Sequence, residues 1–138
     1  HGVGWPKPTP KGYAMHIRAK VLISLIAALH LYIAWFEIFA WTTRGPVVSS
    51  TFPADLFEPT ITLAANQGIY NAFLAAGLIW SLFIRDARWH ANVATCFLLF
   101  VFVAGVFGAV TISPRIAVVQ SVPALIALIA LWVGQRRA

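Results

Sequence analysis

A bundle of four membrane-spanning helices is the fold class this sequence predicts, and three observations predict it. Of 138 residues, 60% are hydrophobic and only 10% are charged, against about a quarter charged in ordinary soluble domains. The mean hydropathy is +0.81. Four apolar runs of roughly 20 residues follow one another, each long enough to cross a hydrocarbon core of about 30 Å, and Pro, Gly and charged residues separate them. The length allows one such domain.

Residues 1–15 read as a tail extraneous to that domain. Trp5-Pro-Lys-Pro-Thr-Pro-Lys-Gly12 is proline-rich and has no apolar period, so an irregular conformation is expected. His1 offers an amine and an imidazole to copper, but no Met or His cluster stands beside it. The domain itself is expected over residues 16–138, with helices at about 21–41, 60–84, 91–112 and 116–134. The first run is too long and too aromatic for a cleaved signal peptide. Arg44-Gly-Pro46, Pro53 and Pro59 break the chain after it, Arg85-Asp-Ala-Arg88 after the second, and Ser113-Pro-Arg115 after the third.

Charge sets the orientation. Lys7, Lys11, Arg18 and Lys20 precede the first run, Arg85 and Arg88 join the second to the third, and Arg136 and Arg137 close the chain. The other two connections hold Arg44 and Arg115 alone among basic residues. Basic residues stay on the cytoplasmic side, so both termini are expected there. The +6 formal charge therefore reads as a topology signal, and no nucleic-acid partner is expected. Trp41, Trp80, Trp89 and Trp132 stand where interfacial anchors stand. Residues 42–59 make the one long external connection, expected as a surface loop, with a strand at 47–52 or a lid as alternatives. The single Cys96 excludes an internal disulfide and Cys-x-x-Cys chemistry, and is expected as a small buried hydrophobe.

Polar residues inside the runs are the candidate functional groups. His30 and Glu37, seven apart, lie on one stripe of the first helix, about 10 Å apart along it. In the second, Asn66 and Tyr70 share one side and Gln67 and Asn71 the next. Amides and ionisable groups in hydrocarbon are costly, so these faces are expected to turn inward. Antiparallel runs place Glu37, Asn66, Gln67, Tyr70, Asn71 and Gln120 together in the external half, with His30 as the floor. Small residues (Ala64, Gly68, Ala72 and Ala76; Ala104, Gly105, Gly108 and Ala109) promise close helix packing, within the chain or in a homodimer. Pro123 frees a carbonyl near Val119. Similar openings at Asn66-Gln-Gly-Ile-Tyr70 and Val119-Gln-Ser-Val-Pro123 suggest two related hairpins.

Ala28-Leu-His-Leu-Tyr-Ile-Ala-Trp-Phe-Glu37, Trp41-Thr-Thr43, Leu63-Ala-Ala-Asn-Gln-Gly-Ile-Tyr-Asn-Ala-Phe-Leu-Ala-Ala-Gly77 and Val119-Gln-Ser-Val-Pro-Ala124 carry a resemblance. They are similar to the bacterial family of small membrane proteins numbered 1304 among the domains of unknown function, over about residues 16–134. The resemblance implies a multi-pass protein of the bacterial inner membrane with no assigned activity. Its motif residues correspond to His30, Glu37, Asn66, Gln67, Tyr70, Asn71 and Gln120. The tail departs from the family pattern.

Three functions compete on these residues. A small-ligand binding or transport protein would use Glu37 as coupling carboxylate and the amides as substrate donors and acceptors. An intramembrane enzyme or redox partner of a lipid or quinone would use His30 and Glu37 as acid and base, with Tyr70 as proton donor. An accessory subunit would need the cluster only for packing, at about 1 kcal/mol per hydrogen bond. Ligand binding or transport is the reading preferred, with no cofactor and no metal, since His30 is the one histidine at depth.

Overall fold

The computed structural model describes residues 2–4, 6 and 10–136, with side chains described from residue 16 within the first helix. His1, with its copper-binding role, lies outside the described residues. The described chain is all-helical. Helix α1 spans Pro10–Phe39 and α2 spans Trp41–Val48, followed by single 3-10 turns at Ala54–Leu56 and Glu58–Thr60. Helices α3 (Ile61–Phe83) and α4 (Ala87–Thr111) come next. A π-helical turn, Ala117–Ser121, leads into α5, Val122–Arg136.

Local chemistry explains the boundaries. α1 begins at Pro10, inside the stretch expected to be irregular, because the first turn of a helix needs no N–H from its proline. It ends at Phe39, where Ala40 leaves the helical region at φ −129°, ψ 18°. α4 starts four residues earlier than its apolar run because Asp86 accepts the Trp89 N–H at 2.9 Å and caps it. Val47 and Val48 end α2 rather than open a strand.

α1 packs along α3 and also against α5, while α4 packs against α3 and α5. Ile23, Leu78, Leu98, Val101 and Leu131 fill the middle and are shut off from solvent. Glycines let backbones approach. A Cβ on Gly68 would stand 3.1 Å from the Ala34 carbonyl of α1, and one on Gly105 would stand 2.8 Å from the Ser121 nitrogen. Gly77 lies under Phe97 of α4, and Gly108 under Ile116. These small-residue contacts are therefore used inside the chain. Ala76 escapes this role and is exposed. A row of every fourth residue drifts about 40° per step, so three steps from Ala64 carry it off the packed face. The buried stripe instead runs Ala64, Gly68, Asn71, Ala75 and Leu78.

Among the described residues, three helices are long and apolar enough to cross a membrane: His16–Phe39, Ala87–Thr111 and Ala117–Arg136. α3 has comparable length, 23 residues, and Asn66, Gln67, Tyr70 and Asn71 lower its hydropathy. The 42–60 connection is a packed knot, not a loose loop. Trp41, Phe52 and Phe57 stack edge to face with centroids 4.9–5.6 Å apart, Phe36 joins Trp41 at 5.5 Å, and the Trp41 indole N–H donates to Thr60 Oγ1 at 2.9 Å. Trp41 is thus partly buried rather than an interfacial anchor; Trp80, Trp89 and Trp132 are exposed near helix ends. Cys96 is exposed, not buried.

Candidate functional site

The polar residues of the long helices resolve into two inward pairs and one outward face. α1 carries the first member of each pair. Asn71, on the buried stripe of α3, donates from Nδ2 to Glu37 Oε1 at 2.5 Å, and the same nitrogen lies 3.4 Å from the Gln67 carbonyl one turn back. Glu37 is half-buried. Two turns along α1, His30 is fully buried. Its Nδ1–H donates to the Ile26 carbonyl at 2.8 Å, since a carbonyl only accepts. That leaves Nε2 with a lone pair, facing the Gln120 amide nitrogen at 3.3 Å. Both ring nitrogens are occupied within the protein, so His30 presents no free position to a metal or to a proton acceptor.

The π-helical turn brings Gln120 to this place. The Val122 N–H reaches back five residues to the Ala117 carbonyl, which inserts an extra residue ahead of Pro123. Gln120 then faces α1 while Ser121 faces α4 and donates to the Phe102 carbonyl at 2.8 Å. Proline in the sequence signalled a freed carbonyl here. It did not signal the register change. α3 opens with 3-10 turns and not a π turn, so the two hairpins begin their returning helices differently.

Asn66, Gln67 and Tyr70 do not join the pairs. All three are exposed, and Tyr70 packs edge to face on its neighbour Phe73 at 6.2 Å. The expectation that the whole amide face turns inward is therefore corrected: α1 covers the Gly68–Asn71 side, and Asn66 lies about 160° round the helix from Gly68. One residue that sequence reasoning passed over is His90. It is buried, its Nδ1–H donates to the Ser81 carbonyl at 2.6 Å across the α3–α4 hairpin, and its Nε2 has no partner among the described residues. Its place beside the charged connection Arg85-Asp-Ala-Arg88 hid it.

α4 covers α3 along only part of its length. Leu63, Tyr70 and Gly77 lie seven apart on one stripe of α3. Gly77 is covered by Phe97, whereas Tyr70 is 56% and Leu63 70% exposed. On α4 the matching stripe His90, Phe97, Ala104 and Thr111 passes from buried through partly buried to exposed. Coverage of this α3 stripe by α4 thus ends between Gly77 and Tyr70, toward the end where Glu37 lies. Beyond the pairs, in the other direction, the core of Ile23, Leu78 and Leu98 closes the bundle. Two shallow grooves, about 300 Å³ along Phe102–Val110 and about 200 Å³ at Ile129–Arg136, involve neither pair.

Comparison with known proteins adds a family without an activity. A family model described as "Protein of unknown function (DUF1304)" matches residues 24–132. The chain is also similar to the uncharacterized protein YpaA of Lactococcus lactis subsp. lactis (strain IL1403), with 31% identity over 114 residues, covering 79% of this chain and 92% of that protein. No solved structure matches.

Proposed function

The chain belongs to this family of proteins of unknown function, DUF1304, and from that premise we propose a four-span inner-membrane protein, both termini cytoplasmic, that binds or transports a small ligand. The ligand is polar or amphipathic and sits at Glu37 and Asn71 in the external half of the bundle. α3 is the fourth span, with Asn71 satisfied by Glu37 of α1 rather than by lipid. The single observation behind the proposal is the Glu37–Asn71 pair: a carboxyl with a hydrogen-bond partner, half-buried at the contact of α1 and α3, above a closed apolar core.

Chemically, such a carboxyl takes an amine or hydroxyl, or exchanges a proton with a ligand arriving from the side. The core below it gives a site open on one side, so transport requires a second conformation and binding does not. The acid–base role once open to His30 is not favoured, because both its nitrogens are engaged.

Native mass spectrometry of the protein extracted from membranes tests the reading. The wild-type chain should carry a bound small molecule that Glu37→Gln and Asn71→Leu lose, with all three proteins folded by circular dichroism. Equal occupancy in the three, or an empty wild-type protein whose vesicles show no Glu37-dependent proton flux with a pH-sensitive dye, would end it.

A further inference from the structure

The outward face of α3 has a pattern that the ligand site does not use. Thr62, Asn66, Ile69, Phe73, Ala76, Trp80 and Phe83 recur at alternating spacings of four and three, and every one of them is exposed. Alternating three and four is the repeat of a helix seam that packs against another helix, with Asn66, Phe73 and Trp80 at one core position and Ile69, Ala76 and Phe83 at the other. The opposite stripe of α3 is buried at Ala64 and Gly68, with α1 against Gly68. The seam therefore faces away from the chain's own bundle.

We propose that this seam joins two copies of the chain as a parallel homodimer, with Asn66 of each copy hydrogen-bonded to Asn66 of the other. The argument is one of chemistry and depth, and it rests on α3 being a membrane span, as proposed above. Asn66 stands about 8 Å inside the start of α3, at about 1.5 Å per residue, and hydrocarbon offers an exposed amide no partner. An amide donates and accepts at once, so it is its own complement. A second copy in the same membrane has the same orientation, and its α3 runs parallel and presents an identical amide at the same depth. A single Asn at one seam position is also the device that fixes register and favours two strands. Ala76 opposite Ala76 lets the helices approach closely below it. The helix glycines that would suit a dimer elsewhere are occupied by α1, by Phe97 of α4 and by Ile116, Gln120 and Ser121 at the π-helical turn.

Cross-linking in membranes tests this, in a Cys96→Ser background that removes the exposed native thiol. Phe73→Cys should form a disulfide-linked dimer under mild oxidation. Leu25→Cys, on an exposed face of α1, should not. In lipid bilayers, Asn66→Leu should weaken the dimer by about 3- to 30-fold, from the roughly 0.6–2 kcal/mol such hydrogen bonds contribute, and Asn66→Gln should restore part of it. A membrane-embedded protein that stays monomeric, or that cross-links equally at Phe73→Cys and Leu25→Cys, overturns the proposal and leaves the ligand site standing. Photo-cross-linking of lipid, rather than protein, at position 66 overturns it in the same way. Release of the protein from membranes by carbonate would instead remove the premise, because an amide facing water needs no partner.

Discussion

At the scale of single residues, the polar pairs differ in what their loss should do. Asn71→Leu leaves the half-buried Glu37 carboxyl without its donor, a change that costs about 1–3 kcal/mol. Glu37→Gln keeps an oxygen that accepts from Asn71 and should cost under about 1 kcal/mol. Thermal unfolding in detergent should therefore rank Asn71→Leu well below Glu37→Gln; the reverse order would show that the carboxylate charge itself holds the helices. Gly105→Ala is a sharper perturbation than its size suggests. Its methyl would stand 2.8 Å from the backbone nitrogen of Ser121, which cannot swing aside as a side-chain tip does. Overpacking of this kind costs about 1–3 kcal/mol, and the same unfolding assay reads it.

At the scale of elements, the aromatic knot at 41–60 acts as the clasp between α1 and α3. Trp41→Ala removes the ring that touches Phe36, Phe52 and Phe57 and the donor to Thr60, and large aromatic truncations cost about 3–5 kcal/mol. Amide hydrogen exchange should quicken across residues 49–60 and remain slow in α5. Equal quickening in both would mean that the knot is not a separable unit. The π-helical turn is the other decisive element. By spending one extra residue before Pro123 it points Gln120 at His30 and Ser121 at α4 in consecutive positions, which a regular helix would also separate by about 100° but in a different register to both neighbours.

At the scale of the whole molecule, the prediction concerns topology. The proposed topology, with both termini cytoplasmic, requires that a cysteine at Ser50 in the Cys96→Ser background react with a membrane-impermeant maleimide on cells whose outer envelope is opened. One at Gln135 should react only after the inner membrane is permeabilised. Labelling of both from outside would mean that α3 does not cross, leaving three spans. Much of the fold was legible in sequence: apolar runs gave the helices, and Arg85 and Arg88 marked the hairpin between α3 and α4. Half of the site was legible too. His30 with Gln120 and Glu37 with Asn71 stand out as polar groups among apolar ones, and each found a partner across a helix interface.

What the sequence determined by itself is the helical class, the positions of the breaks and the place of each polar residue along its helix, because hydropathy and periodicity act locally along the chain. What tertiary structure decided is the direction each polar residue faces. Asn66 and Asn71 are both amides in one helix, and periodicity places them about 140° apart without saying which one α1 will cover. Gly68 settles that, since only its side of α3 lets the α1 backbone come within reach. The choice turned Asn71 toward Glu37 and Asn66 away from the bundle.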